Sequence, residues 1–177
     1  MDQPPAFRQA RAWALYQAEG STPQPLSAAI QQFKYQRRLS TGKLLATLAA
    51  DLCPFTDQYD FIVPVPLHIE RLRWRGFNQS LLLAQAIGRK KQERVQPFLL
   101  ERIRPTVPQT QLNAKERQTN VRGAFAVSAP AQLQSTTLLL VDDVYTSGST
   151  INECARVLRR SGAAAVDVFT LARAVLR

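Results

Sequence analysis

The run Leu138-Leu139-Leu140-Val141, followed at once by Asp142-Asp143, is the tightest constraint in this sequence. Four consecutive branched apolar residues fit a strand buried on both faces, and such strands belong to parallel sheets covered by helices on either side. The two aspartates then stand at the carboxyl end of that strand. Val144-Tyr145-Thr146-Ser147-Gly148-Ser149-Thr150 leads from them directly into an amphipathic helix expected over Ser149–Ser161, with Gly162 beyond its end. In open α/β sheets the crevice outside the carboxyl ends of the strands is where ligands bind. A loop of small residues lets backbone N–H groups converge on an anion, and the helix N-terminus adds partial positive charge. The hydroxyls of Thr146, Ser147, Ser149 and Thr150 add donors around Gly148. The stretch therefore predicts a phosphate cradle. No GxxxxGK[ST] pattern occurs, which argues against nucleotide hydrolysis of the P-loop type.

Two carboxylates beside a phosphate need a partner of their own, because like charge repels the ligand. Vicinal sugar hydroxyls supply one, since an ionised carboxylate only accepts hydrogen bonds, and a divalent metal carried by the ligand screens the charge. Cradle plus diol acceptors describes a ribose 5-phosphate site. An acidic turn with nothing bound is the plain alternative.

The rest of the chain supports an α/β reading. Ala10–Ala18 suggests a short strand, and Leu26, Ala29, Ile30 and Phe33 recur at helical spacing. A second helix follows Ser40 or Thr41, with Leu44, Leu45, Leu48, Ala49 and Leu52 on one face. Asp60–Pro66 reads as a strand stopped by prolines. A basic loop with Arg71, Arg73 and Arg75 follows, and then Asn78 caps a helix with Leu81, Leu82, Ala84 and Ile87 inward. Val95–Ile103 and Val121–Val127 read as strands around a long polar loop, Arg104–Asn120, and Ala165–Leu171 as the last strand. Strands alternating with helices imply a mostly parallel twisted sheet with helices on both faces. Residues 1–55 form an N-terminal, largely helical segment in this reading, and residues 56–177 the core that carries the cradle.

Charge sharpens the function. Lys and Arg outnumber Asp and Glu by 23 to 13, and residues 61–141 alone hold 12 basic against 4 acidic side chains. A field of that sign attracts phosphate, on a small substrate or on nucleic acid. No apolar run approaches the roughly 18 residues of a membrane span, and Met1–Pro5 has no secretory pattern, so the cytoplasm is expected. Cys53 and Cys154 lie too far apart for a CxxC site and read as small buried thiols.

Residues 138–150 resemble the phosphoribosyl pyrophosphate (PRPP) motif of type I phosphoribosyltransferases. The wider pattern resembles the ComF family of competence-associated proteins: Phe33-Lys34-Tyr35, Val63-Pro64-Val65-Pro66, Arg71-Leu72-Arg73-Trp74-Arg75-Gly76-Phe77-Asn78-Gln79, Gln111-Leu112, Arg117, Asn120-Val121-Arg122-Gly123-Ala124-Phe125 and Leu171-Ala172-Arg173. The likeness spans about residues 25–173. It implies the type I phosphoribosyltransferase fold, with Asp142 and Asp143 on the ribose hydroxyls and, through the ligand, on Mg²⁺. It implies Thr146, Ser147, Gly148, Ser149 and Thr150 on the 5-phosphate, and Arg71, Arg73 and Arg75 beside the pyrophosphate. Lys115 and Arg117 fall on a flap that closes over PRPP, where excluding water protects an oxocarbenium-like centre.

Two departures stand out. Thr146 occupies the place where some of these enzymes hold a carboxylate base, and the cysteine-rich zinc module that begins many ComF relatives is absent from this sequence. The resemblance thus leaves two readings: transfer of ribose 5-phosphate to a nitrogenous acceptor, or a non-catalytic PRPP-binding factor in DNA uptake that meets single-stranded DNA or a helicase. Enzymes of this type are often homodimers, and the sequence leaves the oligomeric state open. His68, the single histidine, reads as a bystander; Trp74 either stacks on a base or packs against Phe77; Arg89-Lys90-Lys91 suits a helix C-terminus.

Overall fold

The computed structural model describes residues 4–16, 28–29, 39–106 and 114–175. Four strands, β1 (Ala10–Tyr16), β2 (Phe61–Pro64), β5 (Thr137–Tyr145) and β6 (Ala165–Ala174), form one parallel sheet in the order β1-β6-β5-β2. Strands β3 (Leu100–Arg102) and β4 (Phe125–Val127) form a separate antiparallel pair. Of the strand expected over Val95–Ile103, only β3 and a single parallel bridge from Val95 to Ile62 are realised.

The helices are α1 (Leu39–Asp51), α2 (Ile69–Arg75), α3 (Gln79–Lys91), α4 (Ala114–Val121) and α5 (Ser149–Arg160). β5 sends Leu139 and Val141 to one face of the sheet, where α1, α3, Phe55 and Phe169 pack. It sends Leu138 and Leu140 to the other, against α5, β3, β4, Val166 and Val168. This double covering is why the run is apolar at every position.

Several local expectations change. The helix at residues 39–51 buries Gly42, Leu45, Ala46, Ala49 and Ala50, whereas Leu44, Leu48 and Leu52 are exposed. Apart from Leu45, its small residues rather than its leucines face the protein and permit close approach to α3. In α3 Leu83, Ala84, Ala86 and Ile87 are buried, and Leu81 and Leu82 only partly so. Asn78 caps that helix as the sequence predicts, its Oδ1 accepting from the Ser80 amide at 3.0 Å. The supposed basic loop is helical: Gly76 ends α2 in the left-handed conformation at φ +85°, a C-cap geometry that favours glycine. The long loop at 104–120 contains most of α4. The helix expected around Leu26–Phe33, the Phe33–Tyr35 motif and Gln111-Leu112 lie largely or wholly outside the described residues.

At the amino end of the sheet a polar clasp ties the N-terminal segment to β6. Asp167, fully buried, accepts from Arg8 Nε at 3.0 Å, Arg8 Nη2 at 2.5 Å and the Tyr59 hydroxyl at 2.9 Å. Burial alone would raise this carboxyl, but the hydrogen bonds from Arg8 and then Tyr59 outweigh it and hold it below its ordinary range. Burial, and next the bond to Asp167, push the Tyr59 phenol well above its own. A carboxyl with a depressed folded-state pKa contributes stability above its unfolded value near 4 and loses it as pH falls through the folded one. Asp167→Asn is expected to cost about 2 kcal/mol in urea unfolding at pH 7, less than a fully buried pair because half of Arg8 is exposed and screened. The wild-type loss of stability below about pH 4 should be shallower in that variant.

Candidate functional site

The site begins where β2 stops. Val65 donates to the Val141 carbonyl at 2.8 Å as the last rung from β2, and the chain then leaves the sheet toward α2. β5 runs on beside β6, through Asp142↔Thr170 and Val144↔Ala172, leaving Asp142–Tyr145 at the lip of a crevice. Asp142 Oδ1 accepts from its neighbour's amide, Asp143 N, at 2.8 Å, and from the Ser80 hydroxyl at 2.9 Å; Asp143 Oδ1 accepts from Val144 N at 2.7 Å. Both carboxylates are therefore fixed by backbone and are partly exposed.

The following loop turns at Gly148, φ +75°, directly ahead of α5. Asn152 N donates to the Gly148 carbonyl at 2.8 Å, and the Ser147 and Ser149 hydroxyls are 2.9 Å apart. A Cβ at Gly148 would lie 2.4 Å from the Tyr145 hydroxyl, so the position demands glycine for space as well as for φ. The Tyr145 ring is backed by Arg173, whose Cζ is 5.6 Å from its centroid. Thr146, Ser147, Ser149 and Thr150 are partly exposed around this turn, so the acidic pair and the small-residue loop do meet at one end of one strand.

The arginines of α2 divide by face. Arg71 and Arg75, one turn apart, are half-buried, whereas Arg73 and Trp74 are exposed, Trp74 by 56%. Trp74 is thus not buried as the packing alternative required. The backbones of Lys115 and Arg117 lie on α4, and their side chains fall outside the description. His68 immediately precedes α2, its Nδ1 3.6 Å from Glu70 Oε2. Lys90 pairs with Asp51 at 3.0 Å and Lys91 with Glu93 at 3.7 Å, which accounts for two of the cations at the end of α3.

Arg102 is the residue that sequence reading missed. Its guanidinium lies 5.3 Å from the Phe125 centroid, one N–H group donates to the Thr106 hydroxyl, and its Nε is sealed from solvent without a partner. Burial lowers its pKa, as does the proximity of Arg71, while Asp142 opposes the shift. The signal was alternation: Leu100 is buried and Glu101 exposed, so Arg102 returns to the inward face. Arg104, in contrast, donates to the carbonyls of Asn120 and Arg122, both at 2.9 Å, and binds the carboxyl end of α4. Cys154 is fully buried as predicted, and burial raises its thiol well above the usual range; Cys53 is half-buried.

On the α1 side of the crevice, Asp143 and the buried Gln79 line a narrow cleft with Gly42, Ala46, Leu83 and Leu171. Among the described residues no three His, Cys, Asp or Glu side chains converge as a metal cage. Two hard carboxylate donors at an open lip fit Mg²⁺ that arrives on a phosphorylated ligand, a cation that keeps waters and phosphate oxygens in its shell.

No protein-family model matches the chain. It is 41% identical over 155 residues to the DNA utilization protein YhgH of Escherichia coli K12, covering 84% of this chain and 67% of that protein. It is 34% identical over 175 residues to competence protein F of Haemophilus influenzae, covering 95% and 76%. Identity to competence protein ComFC of Bacillus subtilis is 31% over 120 residues, 67% of this chain and 47% of that one. Among solved structures, the glutamine PRPP amidotransferase of B. subtilis complexed with ADP and GMP superposes with a TM-score of 0.50 at 20% identity, over 73% of this chain and 26% of that one. That likeness is one of fold: the mostly parallel sheet is the type I phosphoribosyltransferase sheet. Taken with the identities to competence protein F and YhgH over most of the chain, it places this protein in the ComF family.

Proposed function

We propose that the protein binds PRPP with Mg²⁺ at the carboxyl end of β5 and transfers its ribose 5-phosphate to a nitrogenous acceptor, releasing pyrophosphate. The observation that carries this reading is the junction of Asp142 and Asp143 with the Gly148 turn at the crevice of this fold. The loop amides and hydroxyls take the 5-phosphate. The carboxylates accept from the ribose 2- and 3-hydroxyls, already oriented by the Ser80 hydroxyl and by backbone N–H groups. Arg71 and Arg75 stand on the half-buried face of α2 to receive the leaving diphosphate. Charge builds on its oxygens as the C1–O bond breaks, and donors fixed in advance lower that barrier. When bound, Mg²⁺ would neutralise part of the same charge from the ligand's own phosphates. Arg73, exposed beside Trp74, is assigned no part in that step. Lys115 and Arg117 keep their proposed place on the closing flap. PRPP is a soluble metabolite, and no helix among the described residues is long and apolar enough to cross a membrane, so we place the reaction in the cytoplasm.

A second reading keeps the pocket without the transfer. Thr146 provides no carboxylate to take a proton from a purine, and the relatives are named for competence and DNA utilization. In that reading PRPP occupancy regulates a factor in DNA uptake that meets single-stranded DNA or a helicase.

Calorimetry with Mg²⁺ and PRPP is expected to show binding by the wild type. The paired change Asp142→Asn/Asp143→Asn should lower affinity by about tenfold or more, the scale of one or two charged hydrogen bonds. No binding by the wild type would overturn both readings, and pyrophosphate release across a panel of bases separates enzyme from factor. Single-strand affinity that falls steeply with salt and competes with PRPP would favour the factor. Gly148→Ala forces a side chain into left-handed backbone and against Tyr145, so it should lose about 1–2 kcal/mol of stability and also weaken PRPP binding. Unchanged binding would remove the Gly148 turn from the phosphate site.

A further inference from the structure

Arg102 is poorly explained as a structural residue. Its aliphatic stem and guanidinium pack near Phe125, yet its Nε is sealed from water with no acceptor. Among the described residues no carboxylate lies within ion-pair distance of it; its one side-chain partner is the neutral Thr106 hydroxyl. Arg71 and Arg104 are near enough to repel it. A partly buried cation with an orphaned, sealed donor and two cationic neighbours costs a fold stability, and an apolar side chain would pack against Phe125 without that cost. Asp142 attracts it, but Asp142 Oδ1 is already committed to Ser80 and to the Asp143 amide.

The register shows how firmly the guanidinium is held. Arg102 sits on β3 directly opposite Phe125 of β4, and Ile103 N donates to the Ala124 carbonyl at 2.9 Å, so its backbone is pinned on both sides of the side chain. The site thus has two different anion poles. One is the Gly148 turn, which offers backbone amides and hydroxyls. The other is the Arg102 guanidinium, near Arg71 and Asp142 on a strand-paired backbone. A planar fork that keeps its charge even when buried is suited to a phosphate chain with several anionic oxygens.

Resting on the PRPP reading above, we propose that Arg102 is the fixed anion-binding residue that receives the ligand's diphosphate, and that it distinguishes PRPP from ribose 5-phosphate. Ribose 5-phosphate fills the amide pole alone, whereas PRPP reaches both.

The test is calorimetry of the full chain with Mg²⁺ and either PRPP or ribose 5-phosphate, on wild type, Arg102→Met and Arg102→Lys, with thermal unfolding of each protein without ligand. Arg102→Met is expected to lose about tenfold or more in PRPP affinity while ribose 5-phosphate affinity changes by less than about threefold. Its melting temperature should not fall, because an unpaired buried charge has been removed. Arg102→Lys, which keeps charge without the fork, should recover part of the PRPP affinity. Equal loss for both sugars, no loss for either, or a lowered melting temperature with an unchanged PRPP preference would each overturn the assignment. Should Arg102→Met fail to fold, Arg102→Lys decides: a several-fold loss of PRPP preference at an unchanged melting temperature supports the proposal, and an unchanged preference overturns it. Binding of neither sugar by the wild type would bring down the PRPP reading and this inference with it, whereas wild-type PRPP binding with an unaltered preference in the variants would remove this inference alone.

Discussion

The functional end of this molecule depends on where the ladder between β2 and β5 stops. Val65 makes the last rung, to the Val141 carbonyl, and β5 continues past its neighbour with one side open. A strand edge left open in this way exposes polar backbone, which must be satisfied by something other than a ladder. Here the aspartates do it: Asp142 Oδ1 takes the Asp143 amide and Asp143 Oδ1 takes the Val144 amide. The same bonds that satisfy the lip therefore fix both carboxylates, and Ser80 of α3 adds a third restraint. Strand termination, backbone satisfaction and site geometry are one arrangement.

Much of this was legible because a doubly covered parallel strand has an unmistakable composition. The run 138–141, the acidic pair, the small-residue loop and the helix ended at Gly162 follow from local chemistry, as does the Asn78 cap. The misreadings have a common physical cause. In the segment 69–75 the alternating arginines and flanking prolines suggested a loop, yet these are good helix formers, and Gly76 was the stop signal. In α1 the leucines mark an apolar stripe, but close packing against α3 buries Gly42, Ala46, Ala49 and Ala50 and, of the helix's leucines, Leu45 alone. Hydrophobicity predicts which faces are apolar; it does not predict which of two apolar faces has the smaller residues and so the nearer neighbour. Arg102 was hidden for the opposite reason, since a charge on the inward side of a short strand reads as surface until its partner strand is known.

The surplus of positive charge looks different once its members are placed. Arg104 binds the carbonyls at the end of α4, Arg8 clasps Asp167, and Lys90 and Lys91 meet Asp51 and Glu93. These cations are engaged in holding elements together, and a count of net charge assigns them to a ligand wrongly. What distinguishes Arg102 is its nearness to both Arg71 and Asp142 in partly buried surroundings. Charge in such a place acts over a shorter range but with less screening than charge on the surface.

That distinction bears on how one small site accommodates carboxylates and phosphates together. On the reading proposed above, the Gly148 turn would hold an anion through dipoles and hydroxyls without bringing a formal charge to the aspartates beside it, whose Oδ1 atoms are oriented by backbone amides. Formal positive charge near Asp142 is carried by elements outside the loop, Arg102 on β3 with Arg71 of α2 near it. If the guanidinium groups lay on the loop itself, they would pair with Asp142 and Asp143, and the acceptors for a sugar diol would be lost. A loop without formal charge therefore suits a site in which carboxylates and phosphate would sit side by side, and β5 outrunning β2 is what brings the acidic pair and the Gly148 turn to one crevice.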